Sequence, residues 1–177
     1  MILYDTINSF MRVSDVLGNR SYFEAEAEYC LNMIKKANEI NANNKSGLFL
    51  MDEPMHSTPP IEGMSTAYAV IEYLSKLNGI TLIITTHFHR LIKLEEIYPY
   101  KFINLSVDAI PYNKRYHFPY KINRGHSYLC IAIELLDIKD FPKDIIDNAI
   151  KMKNKITKFL LTFSKLTMRR EWKMGST

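Results

Sequence analysis

The sequence predicts an α/β domain built on a mostly parallel sheet with flanking helices, followed by a C-terminal helical tail. Two short apolar runs, 47–51 and 80–85, carry this reading, because a few apolar residues bounded by breakers suit strands buried on both faces of a parallel sheet. A stretch of helical period precedes the first run, and another separates the two. This alternation is that of crossover units, whose strand ends and loops gather along one edge of the sheet.

The 177 residues fit one domain, and a hydrophobic fraction of 47% can form a core without disulfides or metal. Cys30 and Cys130 each lie in an apolar periodic stretch, far apart and without metal-ligand spacing, so both are expected to be buried thiols. No run of about 18 uncharged apolar residues exists, and the N-terminus lacks the basic start and apolar stretch of a signal peptide. The expectation is an intracellular protein with no membrane contact, its compartment left open. The formal charge of +4 is uneven: residues 151–177 hold eight Lys or Arg against one Glu (+7), leaving −3 for the first 150.

Along the chain, Tyr22, Phe23, Ala25, Tyr29, Cys30, Met33, Ile34 and Ala37 predict a helix over 22–40, ended by the polar loop 43–47. A strand over 47–51 runs into Asp52 and Glu53. The loop holding Pro54, Pro59 and Pro60 leads to a helix over 61–78, and Gly79 precedes the second strand. A short helix is expected at 89–98. A strand at 102–107 is expected to pair with 116–122 around a turn at 113–115, and helices are expected at 127–136 and from Pro142 to about residue 155. The division is a domain over 1–155 and a basic amphipathic tail over 156–177. Phe159, Leu160, Leu161, Phe163, Leu166 and Trp172 lie among the tail's basic residues, which favours a docking or dimerisation helix over DNA contact.

The chemistry concentrates at the strand ends. Leu48 to Met51 running into Asp52-Glu53 is the Walker B arrangement, in which the aspartate can hold hydrated Mg²⁺ and the glutamate can orient or deprotonate a water. His87 ends the second strand at the same edge, where an imidazole can donate to a phosphate oxygen. Upstream, residues 14–26 form a Gly- and Ser-containing loop running into a helix. A helix start favours phosphate through free N–H groups and the helix dipole, with Ser21 as an added donor or simply an N-cap.

Loop, Walker B strand and histidine strand stand in the order and spacing of ABC-type ATPases, and more closely the chain resembles the MutS family. The resemblance spans about residues 2–155. It rests on Glu62-Gly63-Met64-Ser65 after the Walker B loop, on Thr85-Thr86-His87-Phe88-His89-Arg90-Leu91, on Tyr120 to Tyr128, and on Phe141 to Ala149. It implies a partial P-loop NTPase domain using ATP and Mg²⁺: Asp52 for the metal through water, Glu53 and His87 as catalytic groups on ATP held in cis, and Ser21 contacting ATP held by a dimer partner. It further implies an ATPase that drives a dimeric clamp on DNA, with DNA reached through other domains of a larger protein.

Some positions depart from the family pattern. Ser57 stands where a glycine usually precedes the threonine, Leu129 follows Ser127-Tyr128 where glycine is common, and Gly18 is displaced by one. The run from Asp52 to Pro60 resembles versions in large DNA viruses.

The larger departure is the phosphate-binding G-x-x-x-x-G-K-[ST] loop: the glycines stand at 18, 47, 63, 79, 125 and 175, and none precedes Lys-Ser or Lys-Thr. In the resembled family that loop precedes the region matching Met1, so a chain beginning inside the ATPase domain is expected: a truncated gene, one piece of a split gene or an incomplete gene model. A separate chain carrying Walker A is then a candidate partner, and the isolated chain is expected to be inactive. The alternative is a non-catalytic interaction protein that keeps the ATPase dimer surface. A piece of a double-strand-break repair ATPase would need a long coiled coil, and no heptads are visible.

Overall fold

A computed structural model describes residues 3–11, 22–112, 115–127 and 131–174, with side chains through 159. The chain divides into two compact units: Met1–Leu105 with Arg124–His126, and Ser106–Asn123 with Ser127–Thr177.

The first unit follows the predicted alternation. It runs β1 (Thr6–Phe10), α1 (Tyr22–Ala42), β2 (Gly47–Asp52), α2 (Pro60–Leu74), β3 (Ile80–Thr85), a 3-10 turn (His89–Ile92) and α3 (Lys93–Ile97). The three strands form a parallel sheet in the order β1-β2-β3, with Phe10 opposite Met51 and Asp52 opposite Thr85. α1 buries Glu26, Cys30, Met33, Ala37 and Ile40, and α2 buries Gly63, Ala67, Ile71 and Leu74, each set spaced three or four residues apart along one helix face. Both stripes meet Phe10, Phe49 and Met51 in one core, where a fully buried side chain such as Phe49 or Ile71 contributes about 1.5–3 kcal/mol.

β2 is not buried on both faces, as its apolar run predicts. Gly47, Phe49 and Met51 are buried, whereas Leu48 and Leu50 are half-buried, and on the same face Ile7 and Ile83 are 67% and 58% exposed. Two successive right-handed crossovers in sequential strand order put α1 and α2 on the same face, so among the described residues only that face is covered. β1 is the strand the apolar pattern misses. Thr6, Asn8 and Ser9 interrupt its hydrophobicity, and Phe10 is its one buried residue.

Two short-range devices set the ends opposite the candidate site. Gly79 has φ +72°, and a Cβ there would stand 2.0 Å from the Lys45 carbonyl oxygen, so glycine alone fits between the start of β3 and the turn before β2. Asp5 accepts hydrogen bonds from the Ser46 backbone N–H (2.7 Å) and hydroxyl (2.9 Å), tying the start of β1 to that of β2.

The Ser46 amide, with its hydroxyl second, holds the Asp5 carboxyl below its ordinary value. A depressed folded-state pKa stabilises the fold fully above the unfolded value and ceases to do so as pH falls through the folded value. Unfolding of the wild-type chain is therefore expected to ease from about pH 4 downward more steeply than that of Asp5→Asn. Denaturant midpoints across that range, compared between the two, check this; parallel acid limbs would contradict it.

Beyond α3 the predicted pairing is corrected. Phe102 N–H donates to the Tyr98 carbonyl, and Asn104 N–H donates to Glu95 Oε2 (2.9 Å), so the start of the expected 102–107 strand caps α3 instead. Only Leu105–Val107 (β4) is strand, and it pairs with Ile122–Arg124 (β7). The hairpin partners are Ile110–Tyr112 (β5) and Arg115–His117 (β6), with Tyr112 opposite Arg115. Pro119, which has no N–H to donate, and Tyr120 at φ +52° separate β6 from β7. Of the predicted turn, Asn113 and Lys114 lie outside the described residues.

The 127–136 helix is shorter than expected, running Ala132–Ile138 (α4) after a non-helical Ser127; Tyr128, Leu129 and Cys130 lie outside the described residues. α5 begins after Pro142, whose carbonyl accepts the Ile145 amide, and continues from Lys143 to Met174. Among the described residues, no helix is long and apolar enough to cross a membrane.

Candidate functional site at the strand ends

Asp52 and Thr85 face each other where β2 and β3 end. The Thr85 hydroxyl donates to Asp52 Oδ1 at 2.5 Å, and the Glu53 N–H reaches both the Thr85 carbonyl (3.1 Å) and its hydroxyl oxygen (3.2 Å). One threonine thus fixes the aspartate side chain and the backbone that presents the glutamate.

The chain then turns through a sparsely populated conformation. Glu53 and Met55 have φ of +46° and +64°, a left-handed geometry costing about 1–3 kcal/mol for a residue with a side chain. Packing and hydrogen bonding hold it. Pro54 and Met55 are buried, and a Cβ on Gly63 would stand 2.4 Å from the Met55 carbonyl oxygen, so α2 and the loop touch at a point where only glycine fits. From the other side, buried Glu26 of α1 accepts the His56 N–H (2.9 Å) at one carboxylate oxygen and the Ser57 N–H (3.0 Å) and hydroxyl at the other. Ser57 therefore supplies a third donor to this carboxylate.

After β3, the Phe88 N–H closes a turn onto the Thr86 hydroxyl (3.0 Å). Phe88 is buried in the core, which leaves the neighbouring His87 side chain half-exposed beside Glu53, with Nδ1 3.4 Å from Oε1. His56 approaches the other carboxylate oxygen, its Nδ1 3.8 Å from Oε2, and its ring meets that of His87 edge-on with centroids 5.0 Å apart. The edge thus carries a carboxylate tied to a threonine, a second carboxylate on strained backbone, and two imidazoles.

The structure brings together Asp52, Glu53 and His87, the strand-end residues singled out in the sequence. Ser21 and Gly18 lie outside the described residues. Sequence reasoning missed Glu26, His56 and Thr85. Glu26 alone left a trace, a carboxylate one helical turn before Cys30 on a stripe that is otherwise apolar. Cys30 is buried as expected; burial pushes its thiol up to about 12, and the Glu26 carboxylate adds to the shift, so it is not a nucleophile at neutral pH.

Comparison with known proteins agrees with this architecture. The family model described as MutS domain V matches residues 3–157. The DNA mismatch repair protein MutS of Finegoldia magna is 30% identical over 136 residues, covering 77% of this chain and 16% of that protein. The proteins of the same name from Bacillus velezensis and Bacillus subtilis are each 30% identical over 135 residues, covering 76% of this chain and 15% of theirs. The chain thus spans about one sixth of the length of these relatives. With a match over most of its length and a shared identity at this level, the chain belongs to the MutS family.

Proposed function

We propose that the chain supplies the hydrolytic half of the ATP site of a DNA mismatch repair ATPase, in which ATP binding and hydrolysis drive a dimeric clamp on DNA. The observation that carries this is the convergence of Asp52, Glu53 and His87 at the C-terminal edge of a parallel sheet, where such sheets bind ligands. Asp52 is the residue suited to hold hydrated Mg²⁺: it is a carboxylate fixed at a strand end by Thr85, and oxygen ligands suit this ion. Bound Mg²⁺ would neutralise charge on the transferred phosphoryl group. Glu53 orients the attacking water and accepts its proton at a carboxylate oxygen. His87 sets Nδ1 3.4 Å from Glu53 Oε1, so only as the imidazolium, with a proton on each nitrogen, does it face Glu53 through Nδ1 and donate from Nε2 to a γ-phosphate oxygen.

The phosphate-binding loop comes from outside these 177 residues, in the same polypeptide or in another chain. Ser21, outside the described residues, serves ATP held by a second ATPase domain in the dimer, and DNA is bound by other domains of the full protein. Because no G-x-x-x-x-G-K-[ST] motif stands in the sequence, a second reading keeps a specific observation behind it: an interaction protein or split subunit retaining the ATPase dimer surface. Mixing the chain with a separately expressed segment bearing that loop separates the two. Mg²⁺-dependent ATP turnover by the mixture, and by neither component alone, is the expected result; a mixture that associates without turnover favours the interaction protein.

A further inference from the structure

His56 has no place in the nucleotide chemistry proposed above, yet its ring is built into the same edge. Its backbone is pinned by Glu26, and its Nδ1 is sealed from solvent with no hydrogen-bond partner among the described residues. A buried ring nitrogen of this kind carries an unreturned desolvation cost, and the Glu53 carboxylate stands 3.8 Å from it, too far for a hydrogen bond. The His87 Nδ1 stands at 3.4 Å from the other oxygen of the same carboxylate. One potential ligand atom from each of Glu53, His56 and His87 lies within 4.8 Å of the other two.

We propose that Glu53, His56 and His87 form a three-ligand site for a late first-row divalent cation of the zinc class. The donor set selects the ion: two imidazoles and one carboxylate suit zinc, cobalt or nickel, whereas Mg²⁺ prefers oxygen ligands and its own water. Around a tetrahedral ion with bonds of about 2.1 Å, ligand atoms stand roughly 3.4 Å apart, so closing from 4.8 Å takes small side-chain rotations and no rebuilding of the loop.

The near-perpendicular rings, at 86°, bring nitrogens toward the carboxylate from different directions, and the half-exposed His87 side leaves room for water as a fourth ligand. Pro54, Met55 and the Glu26 clamp fix the loop that carries His56, so part of the site is held in advance. The site stands whether or not the chain hydrolyses ATP. Where it does, the cation withdraws Glu53 and His87 from the phosphate, so metal and hydrolysis exclude each other.

The test is Co²⁺ titration of the full 177-residue chain, read by the visible ligand-field absorption of four- or five-coordinate Co²⁺ and by displacement with Zn²⁺. His56→Gln and His87→Gln are titrated in parallel, with circular dichroism to check folding; the half-exposed His87 position accepts glutamine even if the His56 loop does not. The expected result is intense absorption in the wild type, reversed by Zn²⁺, and an apparent affinity lowered at least about 100-fold in whichever variants fold. A wild-type spectrum indistinguishable from that of hydrated Co²⁺, or wild-type binding retained in a folded variant, overturns the proposal.

Discussion

Replacing Glu53 by glutamine is expected to lower ATP turnover by the completed nucleotide site about a hundred- to ten-thousandfold, while changing nucleotide affinity by no more than about twofold. The split follows from the geometry. Glutamine has the size of glutamate and keeps the backbone N–H that bonds to Thr85, so the turn and the neighbouring Asp52 remain in place. What it loses is the oxygen that accepts a proton from water. An interaction made only in the transition state lowers kcat and leaves binding alone, so kcat and KM measured separately check the assignment. A rise in KM with kcat unchanged would move Glu53 from chemistry to ground-state binding.

Glu26→Ala is expected to destabilise the first unit by about 2–5 kcal/mol, the largest effect on stability foreseen for any exchange at this edge. Glu26 is only 7% exposed, and its carboxylate accepts three donors, two of them backbone amides that lose this partner once it is removed. Each amide left unpaired in a part-buried site costs about 1–3 kcal/mol, and the left-handed residues Glu53 and Met55 lose what holds them strained. Glu26→Gln, which keeps one acceptor oxygen, should cost less than half as much. Urea denaturation of the three chains measures this order. Equal midpoints for wild type and Glu26→Ala would show that the Glu53–Ser57 turn is held without the clamp.

The contrast between Asp52 and Glu26 shows what was legible in the sequence. Strand ends are readable because an apolar run stops abruptly, and in a parallel sheet successive strand ends must share an edge; Asp52, Glu53 and His87 follow from those two rules and from the residue types. α1 and α2 were readable for the same kind of reason, through a period of 3.6.

Glu26 was not. Its function is a contact with residues thirty positions away, and the only local sign is a carboxylate on a buried stripe whose other members are apolar. His56 carried still less signal, since its meaning arises from a turn that folds it back onto Glu53 and His87. β1 escapes the pattern because edge position relaxes the demand for hydrophobicity, and the sequence of β2 suggests double burial because an apolar run does not say which face the crossovers cover. In the hairpin region, short three-residue strands depend on a proline and on side-chain capture of Asn104, which set pairing without any periodic pattern.

Whether this strand edge is one half of a hydrolytic site is read from the rate of phosphate release from ATP in the mixture of the chain with a G-x-x-x-x-G-K-[ST]-bearing segment, at saturating Mg²⁺-ATP and with this chain limiting. The expected rate is proportional to the concentration of the chain and falls to the level of the segment alone when Glu53→Gln replaces the wild type. Phosphate release that is the same with or without the chain, or that survives Glu53→Gln unchanged, would contradict it.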